Sequence, residues 1–423
     1  MPPKCQSPPV VLSMNFFALK QIKLYFFLLC GNILSAMITR YLEEEIRKDL
    51  EEKMVFLSGP RQVGKTTLAK SLLKSEADRD FNWDRREDRK EILSGLWPAS
   101  RSTVVLDELH KYRRWKNWIK GEFDTHGGRV RFLITGSARL EIYRRGGDSL
   151  QGRYHAHRLH GFSMGELLST RKELQAGGDL DFPEASDRET LSLLMRFGSF
   201  PEPFLKQDER TLRRWRRERL DRFFRDDVRE LENVKDLSSM EMLADLLQTR
   251  VGSLLSLQSL REDLEVSHRA ISHWMEILDR LYFCYRITPF THKAIRALKK
   301  ASKLYLWDWS SVPDEGPRFE NLVAGHLLKL KHALEDQEGY EVGLHYLRDA
   351  DKREVDFLMT LGKNPWFAVE CKVRTDASSP SLRYFGERLG IPHLYQIHLD
   401  GEKDVLDGRV RMMPASKFLA ALP

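Results

Sequence analysis

The stretch from Lys53 to Lys74 constrains this chain more than any other. An apolar run, Lys53 to Ser58, leads into Gly59-Pro60-Arg61-Gln62-Val63-Gly64-Lys65-Thr66 and then into Thr67-Leu-Ala-Lys-Ser-Leu-Leu-Lys74. The pattern predicts a short buried strand, a glycine-rich loop, and a helix over 67–74 with Leu68, Leu72 and Leu73 turned inward. The glycines let the backbone fold around an anion so that its N–H groups converge at the positive end of a helix dipole. Lys65 would meet the outer phosphates, and the Thr66 hydroxyl would supply a hard oxygen to magnesium. Gly59 to Thr67 is therefore read as a binding loop for ATP with Mg2+.

A second apolar run, Thr103 to Leu106, ends in Asp107 and Glu108, about forty residues downstream of the loop, where such folds place the magnesium-side acid. Asp107 would hold the metal and Glu108 would polarise the attacking water, a pairing that points to hydrolysis. A third run, Val130 to Thr135, ends in Gly136-Ser137-Ala-Arg139 and would bring Ser137 to the same sheet edge to sense the terminal phosphate. Arg153, in Leu150-Gln-Gly-Arg153, is the candidate for an arginine that neutralises transition-state charge, on the chain's own nucleotide or, in a homo-oligomer, on a neighbouring subunit's. A structural salt bridge is the alternative reading of Arg153.

At 423 residues the chain is long enough for two or three domains, and its 41% hydrophobic and 31% charged residues describe a soluble globular protein. The net charge of +7 permits DNA as a partner without demanding it. Cys5, Cys30, Cys284 and Cys371 show neither metal-type spacing nor the density of a disulfide framework, which fits a cytoplasmic protein. Leu24 to Met37 is almost wholly apolar and follows Lys20 and Lys23, but it falls short of the roughly 20 residues that span a bilayer. A membrane anchor is therefore not expected. Residues 1–36 are read as an extension outside the fold, with translation starting at Met37.

The features Gly-Pro-Arg-Gln-Val-Gly-Lys-Thr-Thr, Leu-Asp-Glu, Thr-Gly-Ser with Arg139, and Leu-Gln-Gly-Arg153 followed by Phe162-Ser-Met-Gly-Glu166 resemble a family of prokaryotic AAA-type P-loop ATPases with a nuclease-like C-terminal domain of unknown function. The resemblance runs from about residue 37 to the C-terminus and implies an α/β AAA-like core with a parallel sheet, a helical lid with a winged helix, and a terminal α/β nuclease-like fold. Domains are expected at 37–200, 201–300 and 301–423.

The middle of the chain gives more ambiguous signals. Arg210 to Glu230 carries Trp215, Leu220, Phe223, Phe224 and Val228 at helical spacing, and its arginines alternate with acids as on a solvated, ion-paired helix. Leu257 to Val266 and His268 to Leu281 read as a helix-turn-helix followed by a wing strand, with Arg269, Ser272 and His273 on the face where base-reading residues sit.

Near the C-terminus, Glu354-Val-Asp356 and Val-Glu370-Cys-Lys372 lie on two predicted strands joined around Gly362 to Pro365. The pattern resembles the restriction-endonuclease-like nucleases. Alternation puts Glu370 and Lys372 on one strand face. The resemblance implies a metal held by Asp356 and Glu370, with Glu320 as an added carboxylate and Lys372 stabilising developing charge.

Overall fold

The computed structural model describes residues 38–136, 150–170, 176–184, 187–229, 236–291, 301–374 and 377–423. Residues 39–423 form one compact unit, and the apolar run at 24–37 lies outside the described residues. Among those residues, no helix is long and apolar enough to cross a membrane.

Five strands build the first sheet: β1 (Met54–Ser58), β2 (Arg79–Asn82), β3 (Ser102–Asp107), β4 (Val130–Thr135) and β5 (Tyr154–Arg158). All pair in parallel, in the order β2-β3-β4-β1-β5. Every residue of β1 and β3 is buried, as continuous apolar runs require when helices cover both faces of a parallel sheet. Alternation then sorts their side chains. Val55, Leu57, Val105 and Leu133 pack with Leu42, Ile46, Leu68 and Trp215 on one face; Phe56, Val104, Leu106 and Phe132 pack with Trp97, Trp115 and Ile119 on the other.

A run of helices follows. Asp187, Asp208, Asp236, Ser256 and Ser267 each open one by accepting the backbone N–H three residues on, which satisfies an otherwise orphaned donor. The arginine-rich helix, Glu209–Arg222, is not simply a solvated face. Arg213, Arg214 and Arg217 are exposed, but Arg219 lies 4.4 Å over the Phe200 ring and Arg216 donates to the Ser310 carbonyl. A delocalised guanidinium on an apolar stem can lie half-buried against a ring and a carbonyl in this way. Phe223–Val228 continues the helix with a wider π-type turn.

The second sheet has eight strands, in the order β12-β13-β11-β10-β9-β8-β6-β7: β6 (Cys284–Pro289), β7 (Lys303–Leu306), β8 (Val342–Arg348), β9 (Glu354–Leu361), β10 (Asn364–Lys372), β11 (His393–His398), β12 (Val405–Asp407) and β13 (Val410–Pro414). Strand β6, expected as part of the 201–300 region, pairs antiparallel with β7 and parallel with β8. The sheet thus runs across the boundary expected at residue 300, because the polar groups of the β6 edge are satisfied by β8. Helix Glu315–Glu338 packs against this sheet and also against β5 of the first.

Candidate functional site

Parallel pairing aligns the ends of three strands: Asn82 stands beside Asp107, and Asp107 beside Thr135. The three side chains meet. Asp107 Oδ1 accepts from Thr135 Oγ1 at 2.5 Å, and Oδ2 accepts from Thr66 Oγ1 at 3.0 Å and Asn82 Nδ2 at 3.3 Å. Two motifs forty-one positions apart are thus joined by one hydrogen bond. Thr66 and Asp107 present the hard-oxygen donors that suit magnesium. The sequence reading missed Thr135 and Asn82, although each is the polar last residue of its strand.

The loop after β1 needs its glycines. Gly59 sits at φ +146°, and a Cβ there would fall 2.5 Å from the Leu159 carbonyl oxygen. Gly64, at φ +99°, starts helix Lys65–Ser71. Lys65 is buried, and its Nζ donates to the carbonyls of Gly59 and Pro60 at 2.9 and 2.7 Å. Burial pushes this ammonium down to about 8, against the upward pull of Glu108 and Asp107. Arg61, in the middle of the loop, pairs with Asp227 at 2.7 Å, so the nucleotide loop is tied to the π-type turn. Burial raises the Asp227 carboxyl.

Glu108 follows β3 at φ +57°, a region non-glycine residues seldom adopt, and this turns its side chain off the line of the strand. Its Oε2 is buried, lies 3.4 Å from Lys111 Nζ and 3.6 Å from His110 Nε2, and forms no hydrogen bond of normal geometry. A buried carboxylate oxygen with lone pairs to spare, close to Lys65, is placed to accept from a water. Ser137 and Arg139 lie outside the described residues.

Arg153 lies in an ion pair away from the nucleotide loop of its own chain. It precedes β5, which runs parallel to β1 with Tyr154 opposite Met54, so it stands at the amino end of the sheet while the loop leaves the carboxyl end. Five residues of strand, about 15 Å, separate the two. Arg153 makes a two-pronged bond to Asp124 at 2.7 and 3.1 Å. It does not serve its own chain's nucleotide.

The C-terminal carboxylates also come together, but around a cation of the chain's own. Lys303, 2% exposed, lies 3.1 Å from Glu320, 2.7 Å from Glu354 and 3.5 Å from Asp356. Tyr305 donates to Glu320 at 2.7 Å, and the Cys371 N–H donates to Asp356 at 2.9 Å. Glu370 pairs with Lys372 at 2.8 Å, on the same strand face as expected, while its Oε2 is buried without a hydrogen bond. Burial, and after it Asp356, raises both Glu320 and Glu370 to about 7. Among the described residues no group of three His, Cys, Asp or Glu side chains is arranged to hold a metal ion. Of the expected metal set, Glu320 and Asp356 share the Lys303 ammonium and Glu370 pairs with Lys372, so a single cation of the chain stands among acids that remain net negative. Nothing local in the sequence marked Lys303, whose role comes from pairing β7 beside β6.

Residues 51–168 match the family described as an AAA domain, and residues 188–312 and 315–418 match two domains of unknown function, DUF8612 and DUF4143. An uncharacterized protein of Mycobacterium tuberculosis is 22% identical over 379 residues, covering 86% of this chain and 81% of that one. One from Methanocaldococcus jannaschii is 22% identical over 346 residues, covering 75% and 76%. Among solved structures, Thermotoga maritima RuvB aligns at a TM-score of 0.27 with 16% identity, over 61% of this chain and 94% of that one, and C. elegans PCH-2 at 0.22 with 13%, over 60% and 69%. At these TM-scores neither likeness bears on mechanism. The match over 51–168, together with the loop and the parallel sheet, identifies an AAA-type P-loop ATPase domain.

Proposed function

We propose that the chain hydrolyses ATP with magnesium and uses its nucleotide state to control DNA engagement by the regions that follow. The observation that carries the reading is the hydrogen bond that joins Thr66 of the loop to Asp107 at the end of β3, with Lys65 and Glu108 the next residues along the chain on either side. Thr66 and Asp107 would hold magnesium, directly or through water, and the metal would neutralise phosphate charge. Lys65 would exchange its two carbonyl partners for the outer phosphates. Glu108 would take the proton of the attacking water.

The DNA half rests on shape and placement. Helices Leu257–Asp263 and His268–Arg280 are joined by a short turn, and β6–β7 follows as an antiparallel pair with an isolated bridge from Leu254 to Lys303. This order of two helices and a strand pair is what the winged-helix part of the proposal rests on. His268, Arg269 and His273 are exposed on the second helix, while Ser272 is half-buried. A homo-oligomer is part of the proposal only through Arg153, which would have to leave Asp124 to reach a neighbour's nucleotide.

A second reading, a nucleotide-controlled switch or scaffold whose nuclease-like domain does not cleave, is favoured by Lys303 at the centre of the acid cluster. Two experiments decide. Lys65→Ala should abolish magnesium-dependent ATP hydrolysis, and Glu108→Gln should lower turnover by about a hundredfold or more while ATP still binds; unchanged turnover in Lys65→Ala would refute the site. Labelled single-stranded, duplex and branched DNA should then be incubated with manganese or magnesium. Cleavage lost in Glu370→Ala would establish a nuclease, and binding without cleavage would leave the switch.

A further inference from the structure

Three side chains from distant parts of the chain meet behind the nucleotide loop. Arg40 precedes the first helix of the compact unit, Glu166 lies on helix Met164–Leu168, and Lys329 lies midway along Glu315–Glu338. Their exposures are 7%, 6% and 2%. Glu166 Oε1 accepts from Arg40 Nε and from the Tyr41 N–H, each at 2.9 Å; Oε2 accepts from Lys329 Nζ at 2.5 Å. Arg40 then reaches past the carboxylate: Nη1 donates to the carbonyl of Val63 at 3.0 Å, and Nη2 to that of His160. Lys329 is itself held by Ser163 Oγ at 2.8 Å and by the Gly161 carbonyl at 3.3 Å, with its ammonium 4.2 Å from the centre of the Tyr41 ring.

Val63 belongs to the loop that cradles phosphate. Its neighbour Gly64 has no room to shift toward Arg40, since a Cβ there would lie 3.2 Å from Nη1. A guanidinium offers its N–H groups in one rigid plane, so the direction in which Arg40 pulls the Val63 carbonyl is fixed by how Glu166 holds Nε. The orientation of Glu166 is in turn set by the Tyr41 N–H on Oε1 and by Lys329, with Ser163 Oγ at 3.4 Å, on Oε2. Truncating one partner in such a dry cluster leaves the others to rearrange, because buried charges do not tolerate losing their counter-charge.

We propose that Lys329, a residue of the C-terminal region, is a positioning residue for the nucleotide loop, acting through Glu166 and Arg40 on the Val63 carbonyl. The same helix carries Glu320 nine residues earlier, about 13 Å along its axis, so one rigid rod joins the loop's support to the acid cluster around Lys303. Loop geometry acts on ground state and transition state alike, so its disturbance raises KM more than it lowers kcat.

The test rests on the ATP reading and is run beside Lys65→Ala in the full chain. Lys329→Met should raise the KM for ATP about tenfold with kcat within about threefold, and Lys329→Arg should restore most of the loss. Arg40→Lys, which can pair with Glu166 but cannot span all three acceptors, should raise KM similarly. If Lys65→Ala is inactive and a folded Lys329→Met keeps the wild-type KM, the proposal is wrong; if Lys65→Ala is fully active, the nucleotide-site reading fails instead. Should Lys329→Met not fold, hydrogen exchange on the wild-type chain decides: a non-hydrolysable ATP analogue should slow exchange of helix amides around Lys329, and no change there overturns the proposal.

Discussion

Single side chains set the chemistry of both acidic centres, and they do so in opposite ways. Asp107 is surrounded by donors that a metal can replace or extend, whereas Glu320, Glu354 and Asp356 surround an ammonium that belongs to the chain. Thr135→Val keeps the shape but removes the donor to Asp107 Oδ1. Turnover at limiting magnesium should fall about tenfold and recover in part at high magnesium, since one hydrogen bond to a charged group is involved; a titration of rate against magnesium measures it. Lys303→Met leaves three half-buried acids without their shared cation, with only Glu354 still paired, to Arg348, and should lower stability by about 1–3 kcal/mol. Manganese, added without nucleotide, should raise the melting temperature of Lys303→Met and leave that of the wild type unchanged. At this scale Lys65, Thr66, Asp107 and Glu108 were legible because each sits inside a strand-loop-helix pattern. Thr135 was within reach as the polar end of its strand, and Lys303 was not, because its partners come from other elements.

Among the elements, the short helix Met164–Leu168 has weight beyond its five residues. Ser163 caps it, Glu166 on it gathers Arg40 and Lys329, and Gly165 lies so close to the C-terminal turn that a Cβ would fall 2.1 Å from the Leu422 carbonyl oxygen. Gly165→Val should therefore push the terminal helix, Ala415–Ala420, off its seat at a cost of about 1–3 kcal/mol or more. Protease cleavage near residue 415, absent in the wild type under the same conditions, would report it. The sequence marked Phe162 to Glu166 as a feature but gave it no task, because the partners of Glu166 lie 126 and 163 positions away. The arginine-rich helix makes the same point: periodicity predicted its buried apolar face, while the inward turn of Arg216 and Arg219 depended on Ser310 and Phe200.

Across the whole molecule, the join between the ATPase domain and the C-terminal helix governs the response to acid. Burial alone would raise Glu166, but Arg40 and then Lys329 draw it from 4.5 down to about 2. Burial lowers His326 on the same helix from 6.5 to about 4. In both cases the unfolded chain binds the proton first, so stability rises with pH. The His326 contribution is lost as pH falls from 6.5 toward 4, and the Glu166 contribution, on the order of 3 kcal/mol, as pH falls from 4.5 toward 2. Urea midpoints measured across these windows should decline, and Glu166→Gln should start lower at pH 7 yet lack the lower window. Arg158, bonded to Asp336 at 2.7 Å and Glu335 at 2.9 Å, spans the same join. The sequence by itself determined the ATPase core, since apolar runs, glycines and terminal acids are local signals written within a few residues of one another. Only the tertiary structure decided that Arg153 stands at the wrong end of the sheet for its own nucleotide, that Lys303 fills the acid cluster, and that Lys329 supports the phosphate loop. Those outcomes depend on which strands and helices become neighbours, and the free energy that selects them comes from burying apolar surfaces far apart in the chain, with pairing offsetting the cost of the charges buried along with them.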